Sequence, residues 1–279
     1  MLPAKIEYYK PTNLPAAVEL FQELRRANKQ PMYFSGGTEI LTFGRLNIDN
    51  PGSIIDIKGI PECAILNKNN QSLIIGASVP LTTIEKDNSF PLLTSVSSEI
   101  ADQTARNKIT IGGNICGKIF YREAVLPFLL ADSYLLIAST QGVKQVPINT
   151  IFNKELRLEE GDLLVNIRTE SVFLNFPFIS RKIRKQWETG YPLITGTAMN
   201  VNGYLRMAFS GICPFPFRSL AMENEINNVA LPIESRIENA INQIPEPILN
   251  DIEGSNEYRL FVLKNLLMEF LLEMEGYDG

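Results

Sequence analysis

The first forty residues alternate between short β-forming runs and one amphipathic stretch. "KIEYY" (residues 5–9) predicts a strand, and Asn13 is placed to cap a helix after Pro11. The following "LPAAVELFQELRRA" sets Ala17, Leu20, Phe21 and Leu24 on one helical face. "MYFSGGTEIL" then reads as a brief strand, two adjacent glycines and a helix starting at Thr38, and "SIIDI" as a further strand. Strand, helix and strand at this spacing predict a βαβ unit and a parallel first sheet.

The texture changes near residue 60. "CAILNKNNQSLIIGA" has two apolar runs around an Asn-rich turn, a hairpin signal. "PLLTSVSSEIADQTA" predicts one helix, "EAVLPFLLADSYLLIAS" a helix followed by a buried strand, and "LLVNIRT" the last strand of this region. Beyond about residue 172 the pattern is antiparallel, with "YPLITGTAMNVNGYLRMAFSGI" folding back at Asn202-Gly203. "CPFPFRS" reads as a rigid, proline-rich connection, and "ESRIENAINQI" and "NEYRLFVLKNLLMEFLLEME" as two closing helices. The expected class is α+β, divided into residues 1–171 (subdomains about 1–58 and 59–171) and a sheet-and-helix domain over 172–279.

Composition narrows the chemistry more than the fold. The 279 residues are 45% hydrophobic and 20% charged, ordinary for a globular protein. A net charge of -5 argues against a nucleic-acid partner, which calls for a concentrated basic face. No apolar run approaches the roughly 20 residues of a membrane span, and "MLPAKIEYYKP" lacks the apolar core of a signal peptide, so the expected location is cytoplasmic. Cys63, Cys116 and Cys213 are too few and too scattered for a disulfide framework or a metal site. The chain has no histidine, which excludes His-based triads, HExxH zinc sites and a histidyl-tethered flavin. Any chemistry is expected to reside on a bound cofactor.

"TIGGNICGKI" (residues 110–119) is the strongest local motif. Gly112 and Gly117-Lys118 have P-loop spacing, but Ile119 stands where the magnesium-binding hydroxyl belongs, and the apolar run "SIID", which ends in aspartate, lies upstream. A nucleotidase loop is therefore disfavoured. The pair Gly112-Gly113 instead predicts a tight turn whose backbone N–H groups converge on an anion. Gly36-Gly37 forms a second such pair, between a strand and a helix N-terminus suited to phosphate. Two such turns fit the halves of one pyrophosphate, as in a dinucleotide, although neither reads G-x-G-x-x-G.

In these stretches the chain resembles the FAD-binding subunits of molybdenum hydroxylases, the xanthine dehydrogenase and carbon monoxide dehydrogenase family. "FSGGTEIL" and "TARNKITIGGNIC" look like its two flavin motifs. "SRKIRKQWETGYPLITGTAMNV" looks like the stretch carrying a lysine near the flavin ring, "RMAFSGICPFPFR" like the strand and proline turn that follow, and "GSNEYRLFVLKNLL" like its Tyr-Arg helix. The resemblance implies a two-part FAD-binding region of the PCMH/vanillyl-alcohol-oxidase-like type followed by a small domain of antiparallel sheet plus helices. It places Ser35, Gly36, Gly37, Thr38, Glu39, Ile40, Thr110, Ile111, Gly112, Gly113 and Asn114 along the diphosphate of non-covalently bound FAD. Leu164 would lie by the cofactor and Lys182 near the isoalloxazine edge, although "RKIRK" also reads as a solvated run of cations. The chain departs from the family in "GKIFYREAVLP", where a small Ser-Pro loop and an aspartate are usual. Glu123 would take over that aspartate's hydrogen bonds to the cofactor, or else pair with Arg122 or start a helix. Lys118 and Arg122 read either as added charge for the phosphates or as surface.

The function so implied is an oxidoreductase subunit that passes electrons from iron–sulfur clusters to NAD or another acceptor. Molybdopterin and [2Fe–2S] clusters would sit on partners, an iron–sulfur subunit and a molybdopterin-binding large subunit. The alternatives are a structural subunit that has lost FAD and a stand-alone flavin oxidoreductase.

Overall fold

The computed structural model describes residues 6–184 and 190–276. Lys5 of the first predicted strand and the "KQWET" part of the lysine-bearing stretch lie outside them. The first lobe is a parallel sheet in the order Glu7–Tyr9, Ser53–Asp56, Pro31–Phe34. Asn13 caps the helix Leu14–Arg26 by accepting the Ala16 N–H at 2.9 Å. That helix buries Leu14, Ala17, Val18, Phe21 and Leu24 and leaves Leu20 half-buried. A second helix, Thr38–Arg45, follows the Gly36-Gly37 pair.

The second lobe is a five-stranded antiparallel sheet ordered Leu66–Lys68, Ser72–Gly76, Leu163–Glu170, Tyr134–Ser139, Gly142–Pro147. Leu163–Glu170, the last strand of this lobe along the chain as expected, is the central strand of the sheet, with an irregularity between Leu164 and Asn166. The edge strand Gly142–Pro147 escaped sequence reading because an exposed edge needs no apolar face. The expected single helix over residues 91–105 is two, Pro91–Ser98 and Gln103–Arg106. Asp102 caps the second by accepting the Ala105 N–H at 2.7 Å. Between them Ala101 takes a positive φ of 51°, and Arg106 donates to the carbonyls of Ile100 and Ala101 at 3.3 and 2.7 Å.

The third lobe is a four-stranded antiparallel sheet in the order Phe178–Ile183, Ile194–Val201, Tyr204–Cys213, Phe215–Arg218. Its central hairpin turns at Asn202 (φ 55°) and Gly203 (φ 88°), the two positive angles that a tight hairpin turn uses. "CPFPFRS" is not a bare connection. Phe215–Arg218 pairs as an edge strand, where Pro216 leaves no ladder donor missing. Three helices, Leu220–Ile226, Ile233–Ile241 and Asn256–Glu275, cover the sheet.

Two buried clusters result, one under the first two lobes and one between the third sheet and its helices. Met199 and Ala208 of the third sheet belong to the first cluster. The same face is pinned by Asp132, which accepts from Arg206 and Arg218 at 2.5 and 2.8 Å while those arginines also donate to the carbonyls of Leu130 and Leu129. Among the described residues no helix is long and apolar enough to cross a membrane.

Candidate functional site

The two glycine-bearing segments touch. A Cβ on Gly36 would lie 1.9 Å from the Lys108 carbonyl oxygen and 3.3 Å from the Thr110 nitrogen, so only glycine permits the approach. Gly37 precedes the Thr38–Arg45 helix in the left-handed region at φ 71°, and a side chain there would strike the Phe34 ring at 2.2 Å. The second segment differs from the predicted tight turn. Gly112 and Gly113 lie inside a short helix, Ile111–Cys116, capped by Thr110, whose hydroxyl accepts the Gly113 N–H at 3.2 Å. Gly112 allows close packing, since its Cβ would meet that of Ala77 at 2.5 Å. Gly113 is different: an added Cβ would meet only the Thr110 hydroxyl, at 3.0 Å.

Between these segments runs a cleft of about 850 Å³. Ser35, Gly36, Gly37, Thr38, Glu39 and Ile40 line it from the first lobe, and Thr110, Gly112, Gly113, Asn114, Glu123 and Leu164 from the second. Lys182 lines it from the third. Ile111 is fully buried in the core and is not on the cleft wall. The structure therefore brings all but one of the sequence-predicted residues to one surface.

Their side chains divide the work differently from the sequence reading. The Glu39 carboxylate accepts the backbone N–H groups of Lys118 at 2.6 Å and Ile119 at 3.1 Å, tying the 117–123 loop to the first lobe. Asn114 accepts the Ala124 N–H at 3.1 Å. Lys118 is exposed and pairs with Asp49. Arg122, by contrast, is buried and donates to the carbonyls of Gly117 at 2.8 Å and Lys154. Burial pushes its pKa down, against the charges of Glu155 and Glu39. Arg122 thus braces the loop backbone.

Glu123 does not pair with Arg122. One of its oxygens accepts from Lys182 Nζ at 2.9 Å and the other from the Thr195 hydroxyl. The Lys182 and Glu123 side chains are 3% and 4% exposed, so this is a buried ion pair rather than a solvated run of cations. Lys182 also donates to the Glu99 carbonyl at 2.7 Å. Burial holds its pKa below the usual lysine range, and the Glu123 charge opposes that shift. Strand pairing aligns Lys182 with Thr195, which is why both reach one carboxylate. Thr195 carries no sequence signal of its own, since its partner lies 72 residues away. Tyr121 and Tyr191 also line the cleft, stacked with ring centroids 4.7 Å apart and planes 17° apart.

The arrangement suits a long, partly anionic ligand. A helix N-terminus follows Gly37, the wall is open at Gly113, and the buried Ser35 hydroxyl has no hydrogen-bond partner within the protein. Aromatic rings and a buried lysine stand on the third-lobe side. No group of three or more Cys, Asp or Glu among the described residues is arranged to hold a metal ion. The residues present fit an FAD-type dinucleotide.

Comparison with known proteins agrees. Residues 4–169 match the family described as FAD binding domain in molybdopterin dehydrogenase. The xanthine dehydrogenase FAD-binding subunit of Escherichia coli O157:H7 is 25% identical over 98% of this chain and 97% of its own length. The carbon monoxide dehydrogenase medium chain of Hydrogenophaga pseudoflava is 25% identical, covering 93% of each chain. Carbon monoxide dehydrogenase from the same organism superposes with a TM-score of 0.84 at 23% identity, over 96% of both chains. Quinoline 2-oxidoreductase from Pseudomonas putida 86 does so with 0.81 at 21% identity, over 98% of this chain and 97% of the other. The fold is thus the α+β, PCMH-type architecture. With both glycine segments on one cleft and the match running from the first strand to the centre of the second sheet, the chain belongs to the family of FAD-binding domains in molybdopterin dehydrogenases, homologous to the FAD-binding subunits of the xanthine dehydrogenase and carbon monoxide dehydrogenase type.

Proposed function

We propose that this chain holds FAD non-covalently in the cleft and acts as the electron-transfer subunit of a multi-subunit molybdenum hydroxylase. The observation that carries the proposal is the contact of Gly36 with the backbone of residues 108–110, which sets two anion-suited segments side by side. Ser35 to Ile40 and Thr110 to Asn114 would flank the diphosphate, while Glu123, Leu164 and Lys182 would serve the flavin half. Bound there, FAD would supply the redox chemistry, taking electrons that start at a molybdenum centre and pass through [2Fe–2S] clusters on partner subunits and delivering them to NAD or another acceptor. The chain's own residues bind and orient, since it has no histidine and three cysteines, two of them buried. The partners are an iron–sulfur subunit and a molybdopterin-binding large subunit in the cytoplasm. Residues 1–171 form the cofactor-binding part and 172–279 the smaller domain that closes its third side.

Titration of the purified chain with FAD should yield a yellow, saturable complex, with FMN bound much more weakly because it lacks the adenosine half. Acid precipitation should leave the pellet colourless and the flavin in the supernatant. A chain that takes up no FAD would overturn the proposal and favour a purely structural subunit. Reduction of the bound flavin by an organic substrate, with no partner present, would favour a stand-alone oxidoreductase.

A further inference from the structure

Among the described residues Arg259 is the largest fully buried side chain, and it lies on the helix Asn256–Glu275, outside the cleft wall. Its guanidinium donates to the backbone of three separate segments and to one carboxylate. It donates to the carbonyls of Leu193, Gly211 and Gly254 and pairs with Asp251. The surroundings are shaped to admit it. Gly211 has φ 88°, and a Cβ there would lie 2.6 Å from the Leu193 oxygen, while one on Gly254 would lie 2.6 Å from the Leu193 side chain. The ladder between Tyr204–Cys213 and Phe215–Arg218 is irregular at this point, between Phe209 and Cys213.

Leu193 occupies a decisive place in the chain. Its N–H donates to the Ile183 carbonyl at 2.8 Å, one residue after Lys182. Two residues before it stands Tyr191, stacked on Tyr121, and two residues after it Thr195, bonded to Glu123. Tyr121 reaches the same centre. Burial pushes its hydroxyl up to about 12, and the charges of Asp251 and Arg259 act on it in opposite senses.

The geometry points to Arg259 as a positioning residue: by clamping the Leu193 carbonyl to Gly211 and Gly254, it sets the strand end that presents Tyr191, Thr195 and Lys182 to the cleft. This rests on the reading of the cleft as an FAD site and assigns Arg259 to its flavin side. The glycine segments, which belong to the other two lobes, do not depend on it.

The test uses the full-length chain with Arg259→Met, Arg259→Lys and Asp251→Asn, the last leaving the guanidinium on its three carbonyls. Each variant is titrated with ADP, which carries the diphosphate, and with FAD, and the fluorescence of the bound flavin is recorded. In Arg259→Met, ADP affinity should equal that of the unaltered chain while FAD affinity falls by about three- to thirtyfold. Bound flavin should also be brighter, because Tyr191, which lines the cleft two residues before Leu193, would no longer be held where it can quench it, and Arg259→Lys should recover part of both effects. Asp251→Asn should show the same signature more weakly. Equal losses of ADP and FAD affinity would mean general destabilisation and would overturn the assignment. So would unchanged FAD affinity in folded Arg259→Met or, if that variant does not fold, in Asp251→Asn. An unaltered chain that binds neither ligand would sink the FAD reading itself, and this inference with it.

Discussion

The Glu123–Lys182 pair shows how burial turns a substitution into a stability experiment. Removing one partner of a buried ion pair strands the other, at a typical cost of about 3–5 kcal/mol. Glu123→Ala should therefore lower the unfolding free energy of the FAD-free chain, read from denaturant titration, by an amount in that range, and Glu123→Ala combined with Lys182→Met should cost less than the sum of the single changes. Equal costs in an additive cycle would show that the two groups do not interact. The pH dependence has a definite sign. Burial holds folded Lys182 below its ordinary 10.5, so between the folded value and 10.5 the unfolded chain binds more protons. The Lys182 contribution to native stability should rise with pH across that interval, against the fall contributed by the buried Cys63, Cys213, Tyr33 and Tyr121, whose pKa values burial raises, and the difference in stability between the unaltered chain and Lys182→Met should carry that rise. The glycines separate in the same way. Gly113→Val places its side chain where nothing but the Thr110 hydroxyl is near, and should abolish FAD binding with little loss of stability. Gly37→Val meets the Phe34 ring and a positive φ, and should cost about 1–3 kcal/mol of stability as well. Calorimetry and FAD titration on both variants distinguish the two outcomes.

At the level of elements, the 117–123 loop is the distinctive feature. Its basic residues suggest phosphate contacts, yet the fold uses them to brace the loop itself. Arg122 holds the Gly117 and Lys154 carbonyls, Lys118 reaches Asp49, and Glu39 receives two loop N–H groups. Hydrogen bonds to a carboxylate contribute about 1.5–3 kcal/mol each, so Glu39→Ala should release the loop while leaving the sheets intact. Hydrogen exchange measured by NMR should accelerate at the amides of Lys118 and Ile119 and remain unchanged in the strand Leu163–Glu170. Retained protection at both amides would show that Glu39 is not what holds the loop.

For the molecule as a whole, the third lobe completes the first core as well as covering one side of the cleft. Met199 and Ala208 belong to the core of the first two lobes, and Asp132 ties the helix Leu126–Leu130 to Arg206 and Arg218. A fragment of residues 1–171 should therefore be prone to aggregation and poor at binding FAD, as read by gel filtration and flavin titration; a monomeric, FAD-binding fragment would contradict this. Much was already legible along the chain. The Asn13 cap, the parallel βαβ start, the Asn202-Gly203 hairpin and the Asn256–Glu275 helix follow from side-chain periodicity and backbone preference, which act within a few residues. The glycine pairs were visible for the same reason, because a missing side chain is a local property. The break at Ala101 and the edge strand Phe215–Arg218 were not, since Arg106 and a neighbouring strand decide them. Nor did the sequence say that Glu123 would meet Lys182 and Thr195, or that Arg259 would clamp Leu193. Those partners are 59, 72 and 66 residues apart, and a charge buried at such separation is stable only where folding brings its counter-charge or carbonyls to it.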